Sequence, residues 1–198
     1  MKKISVLVLA AAWLSFFSCV SGKTGTESIS PVYVTNTKKV HILSPENCGK
    51  SIDDLVLFSG IFNGNEMQFP VFVESNKSGI SMVMMNQVGL EMGNLFFDGK
   101  SLSFVSSVIP KKVKMEYILA DFQFASYPFD VVQRQLEKAG LSFTEEVLQS
   151  NDKNGETKIL RKIVDGKKVI EEILVDSKCT VIRNNLRGYE FTMETNNE

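Results

Sequence analysis

The chain has 198 residues, 43% of them hydrophobic, with 22 Lys and Arg against 23 Asp and Glu and a formal net charge of −1. That balance, without a basic stripe, excludes the electrostatic footprint of a nucleic-acid binder and a polybasic membrane patch. The only histidine, His41, has no ligand-spaced neighbours, so neither a metal nor any other cofactor is expected.

The first element in chain order is an export signal. Lys2 and Lys3 precede an apolar run from Ile4 to Phe17, shorter than the ~18 residues a membrane-spanning helix needs. The run ends at Ser18-Cys19 and the chain turns polar. Ordinary signal peptidase prefers small residues at −1 and −3, and Phe16 occupies −3. A small residue followed by cysteine resembles the bacterial lipobox, whose thiol is diacylated and becomes the first mature residue. Residues 1–18 are therefore expected to be a lipoprotein signal peptide and Cys19 the lipidated position. Two or three acyl chains anchor a protein stably where one would be marginal. Removing Lys2 and Lys3 takes the charge from −1 to −3 and leaves about 180 residues, enough for one domain with a core. After Cys19 no run is apolar enough to span a bilayer.

Residues 19–47 read as a flexible tether with a reach of about 30 Å, although "VYVTNTKKVHIL" could form a loose first strand. The domain is expected over residues 48–198. Cys48 and Cys179 remain in the mature chain. If export paired them, the bond would close a loop of about 130 residues and stabilise by ~5 kcal/mol; two separate thiols are the equal alternative.

From Leu55 the alternation of apolar and polar residues predicts strands in "DLVLFSGIF", "MQFPVFVE", "GISMVMM", "GLEMGNLFF" and "SLSFVSSV". Asp98-Gly99 is a hairpin signal. Met67, Phe69, Val71 and Val73 share one strand face, while Pro70 suggests an edge or a bulge. The period then changes. Met115, Ile118, Leu119 and Phe122 recur at helical spacing, as do Phe129, Val132, Leu136 and Ala139, with Pro128 at the start and Gly140 at the stop of the second helix. Strands resume in "LSFTEEVL", "TKILRKIV", "KVIEEILV", "CTVIR" and "GYEFTME", with Asp165-Gly166 as another hairpin turn. Tyr189, Phe191 and Met193 face inward against Glu190, Thr192 and Glu194. The fold class is mainly β with a helical insert (α+β).

No nucleophile with a base, phosphate loop or nucleophile elbow is present, so an enzyme is not expected. The pairs Asp53-Asp54 and Glu171-Glu172 read as solvated strand faces. Methionine is the unusual feature: Met67, Met82, Met84, Met85 and Met92 crowd the first set of strands. Unbranched, adaptable side chains suit a surface for flexible apolar ligands, although the pattern by itself favours ordinary core filling.

"DGKSLSF", "ILADFQFASYP" and "LRGYEFTME" resemble, in that order, segments of an uncharacterised family of bacterial outer-membrane lipoproteins whose genes accompany aryl-polyene and glycolipid clusters. That family is similar to the lipoprotein-localisation proteins LolA and LolB. The resemblance implies a curved antiparallel half-barrel with two short helices covering an apolar cavity. It would place Leu119, Phe122, Phe129 and Val132 in the lid and Met67, Phe69, Met82, Met84, Met92 and Phe96 on the cavity wall. For Arg187-Gly188-Tyr189 it implies only a turn and a strand start. The function so expected is receipt of a lipid or acyl-chain ligand by a monomer at the periplasmic side of the outer membrane, with a periplasmic carrier protein as partner. The alternative is a structural or protein-interaction lipoprotein with a packed core.

Overall fold

The structure, a computed structural model, describes residues 27–62, 65–107, 109, 113–149 and 157–195; the expected signal peptide and the expected lipidation position, Cys19, lie outside them. Two meanders build one open antiparallel sheet. The first contains β4 (Ile52–Phe62), β5 (Asn65–Asn76), β6 (Gly79–Met85), β7 (Glu91–Phe97) and β8 (Ser101–Ser106). The second contains β9 (Ser142–Gln149), β10 (Thr157–Asp165), β11 (Lys168–Val175), β12 (Cys179–Asn184) and β13 (Tyr189–Thr195). They join where β4 pairs with β13, and β1 (Glu27–Ser28) adds to β8 at one margin, giving the order β1-β8-β7-β6-β5-β4-β13-β12-β11-β10-β9. A two-stranded ribbon, β2 (Val32–Tyr33) with β3 (Lys39–Val40), stands apart. Helices α1 (Met115–Ser126) and α2 (Phe129–Lys138) link β8 to β9, the far margin.

Side-chain alternation decides the faces. On β5, Phe69, Val71, Val73 and Ser75 are buried while Glu66, Gln68, Phe72 and Glu74 are exposed. The hairpins at Gly99 and Gly166 use φ of +92° and +60°, the left-handed conformation that the Asp-Gly turns require. Pro70 departs from expectation, because β5 is an interior strand. Its ladder with β6 begins only at Val71, so proline sits where β5 has a partner on the β4 side alone and its missing N–H costs no bond to β6.

The two helices differ in kind. In α2, Val132 and Leu136 are buried and Asp130 and Arg134 pair on the outside at 2.9 Å. It ends in a Schellman cap: Gly140 N donates to Glu137 O and Leu141 N to Leu136 O, with Gly140 at φ +72°. In α1, Met115, Leu119, Ala120, Asp121, Phe122, Gln123, Phe124 and Ala125 are all buried, so almost its whole circumference is covered. It fills the inner face of the sheet.

The expected tether is shorter than residues 19–47. Val32, Val34, Val40 and Leu43 are buried in the core. Gln123 holds this segment: its Nε2 donates to Leu43 O and its Oε1 accepts from Leu43 N, both at 2.8 Å. Gln123→Leu would leave a buried donor and acceptor unpaired, and a loss of about 2–4 kcal/mol is expected in denaturant titration, with early proteolysis before residue 48.

Cys48 and Cys179 are free thiols, so the disulfide considered for them is not formed. Cys48 lies on the inner side, its sulfur 3.9 Å from Ser75 Oγ, whereas Cys179 shares its strand face with exposed Arg183. The sheet separates them.

Candidate functional site

Strand register assembles an apolar row across the inner face. Val147 pairs with Ile159, Ile159 with Val175, Val175 with Thr180, Thr180 with Met193, Met193 with Phe58, and Phe58 with Phe69. Seven strands contribute one residue each. Exposure falls along it, from 59% at Val147 on the margin, through half-buried Ile159, Val175, Met193 and Phe58, to buried Phe69. Phe58 stacks between Phe69 and Phe191, each at 5.2 Å. The next row inward, through Glu145, Arg161, Ile173, Ile182 and Phe191, lies under the helices.

Of the residues expected to form a cavity, Phe69, Met82, Met84, Leu119, Phe122 and Val132 are buried in one core cluster, with Met67, Met92 and Phe129 half-buried against it. They belong to one packed cluster. Phe96 is a correction: Gly93, Leu95 and Phe97 take the inner positions of β7, so Phe96 faces out and is 46% exposed.

Arg161 fastens the end of α1. Its Nη1 donates to the carbonyls of Phe124, Ala125 and Tyr127 at 2.9 Å each, and its Nε pairs with Glu145 at 2.8 Å. A cation at a helix C-terminus complements the dipole and satisfies carbonyls that no backbone N–H reaches.

A second cluster fastens the middle of α1. Asp121, 3% exposed, accepts a 2.5 Å hydrogen bond from Tyr189 Oη. Asn184 Nδ2 donates to Glu171 Oε2 at 2.8 Å and lies 3.4 Å from Tyr189 Oη. Arg187 sets its guanidinium 4.8 Å from the Tyr117 ring centroid and donates to Tyr33 O. Burial raises the Asp121 carboxyl to about 7, and raises Glu171 well above the carboxylate range, helped by the Asp121 charge. Glu171 corrects another expectation. Glu172 faces out towards Lys162 at 3.7 Å, but Glu171 is 2% exposed with Oε1 unpaired. Beside it lies a cavity of about 10 Å³, room for one water molecule.

Asp121 belongs to "ILADFQF" and Tyr189 to "LRGYEF", so two separate sequence motifs meet in one hydrogen bond. Asp121, Gln123 and Arg161 are overlooked in the sequence, where Glu171 reads as solvated and Tyr189 only as an inward-facing strand start; Asp121 and Gln123 carry a readable signal, as polar side chains inside an otherwise apolar helical run. No group of three or more metal-ligating side chains, and no helix long and apolar enough to cross a membrane, occurs among the described residues.

Residues 57–197 match the model of a family described as a protein of unknown function, DUF3261. No curated protein matches the chain.

Proposed function

The chain belongs to this family of unknown function, and from that premise we propose that it is a non-catalytic lipoprotein, anchored through Cys19 to the periplasmic side of the outer membrane, that receives a lipid or acylated ligand. One observation carries the reading: the inner-face row from Val147 to Phe69 is apolar in six of seven positions and open at the β9 margin. An acyl chain laid along it would gain ~0.8 kcal/mol per buried methylene. The ligand enters beside Val147 and extends towards Phe58 as the helices yield. A periplasmic carrier delivers it to the monomer. The resemblance to LolA and LolB supports the same reading.

Native mass spectrometry of the chain, before and after organic extraction, tests this. Fatty-acid or phospholipid masses should co-purify and be lost on extraction. Met193→Glu puts a charge at a half-buried position in the row and should weaken a fluorescent fatty acid by about tenfold or more, roughly 1.4 kcal/mol, without unfolding the sheet.

A second reading has its own observation. The expected cavity residues pack together, while Leu55, Phe72, Val83 and Val105 stand in one outward-facing register row interrupted only by Asn94. A clean apo mass that takes up no lipid would favour a protein partner on that outer face.

A further inference from the structure

We propose that the Asp121–Tyr189–Glu171 cluster is a proton-controlled latch, which holds α1 against the sheet while one proton resides on the two carboxyls and frees the helix when it is lost. For the ligand's access to the inner face, this rests on the function proposed above; for the helix itself it does not.

The charge count gives the reason. Around the cluster stand Tyr33 of β2, Tyr117 and Asp121 of α1, Glu171 of β11, Asn184 of β12, Arg187 of the following turn and Tyr189 of β13. Lys39 does not line the cavity and sits over the Tyr33 ring, 4.5 Å from its centroid. Among the described residues, Arg187 is the one cation lining the cavity. With one carboxyl protonated, one carboxylate balances one guanidinium. With both ionised, a buried negative charge has no partner, and burying such a charge is costly. Asp121 ties α1 to a strand side chain here, through its hydrogen bond from Tyr189. Swinging α1 away hydrates Asp121 and relieves the repulsion.

The direction follows from the same groups. Burial raises both carboxyls and the Asp121 charge raises Glu171 further, so the closed state holds the pair's last proton more tightly than the hydrated open state does; closure is favoured at low pH, and that advantage is lost as pH rises through the range in which the pair gives up that proton. Between pH 5 and pH 8 the opening equilibrium should rise by about tenfold or more, since the open state has lost that proton while the closed state still holds it.

Hydrogen exchange of the full mature chain, read at residues 115–126 against β10 and β11 and corrected for intrinsic rates, should show α1 losing protection by that factor from pH 5 to pH 8. Asp121→Asn keeps an acceptor for Tyr189 and should abolish the dependence. Glu171→Gln should do the same in part, and serves where the first variant fails to fold. Equal α1 protection at both pH values, or an undiminished dependence in both variants, would overturn the latch. Uptake of a fluorescent fatty acid is measured in parallel. Release of α1 with no uptake at either pH leaves the latch standing and removes the lipid-binding function.

Discussion

Arg161→Met should lower stability by about 3 kcal/mol. The guanidinium satisfies three carbonyls at the end of α1, and no other donor to them is close among the described residues. Breaking a buried charged contact costs about 3–5 kcal/mol, and Glu145 keeps some hydration, its side chain being 27% exposed, which favours the lower figure. At about 2–4 °C per kcal/mol for a chain of this size, the midpoint of thermal unfolding should fall by about 6–12 °C. Glu145→Gln should cost under about 1 kcal/mol, since the helix carbonyls remain satisfied. A loss for Arg161→Met as small as that would mean that the carbonyls find water once the guanidinium is gone.

Leu119→Ala should cost about 3–5 kcal/mol, because Leu119 is fully buried in the helix that fills the inner face. The same substitution separates the two functional readings. A cavity lined by leucine, phenylalanine and methionine stays dry and accepts apolar guests. If acyl chains enter beneath α1, the variant should bind a fluorescent fatty acid more tightly while unfolding in less denaturant. If the core is closed for good, stability falls and binding stays absent.

Local chemistry in the sequence marked most of the elements. The alternation in "GISMVMM" and "KVIEEILV" coincides with β6 and β11, and the Pro128 and Gly140 signals bracket α2. These features depend on neighbours two to four residues apart. The two-residue period also fixed that Met82 and Met84 share a face, but it could not choose between inner and outer for each strand. Phe96 shows why: both faces of β7 carry apolar side chains, so hydrophobicity alone does not orient the strand, and the pairing Leu95 to Met82 does. Pro70 argued for an edge that exists only on one side of β5, and only because β6 ends there.

The candidate site was legible in its apolar half and hidden in its polar half. Phe58, Val175 and Met193 alternate visibly within their strands, yet their alignment into one row needs the pairing of β13 with β4, which joins segments more than 130 residues apart in sequence. Asp121 and Tyr189 are 68 residues apart, and Arg161 lies 34 to 37 residues from the carbonyls it binds. The sequence by itself determined this protein's strands, turns and helices, because these follow from short-range backbone preference and periodic burial. Which carboxylates lose water, which strand faces turn inward and where α1 is held were decided by tertiary structure, because desolvation and charge pairing depend on distances in space that sequence separation does not record.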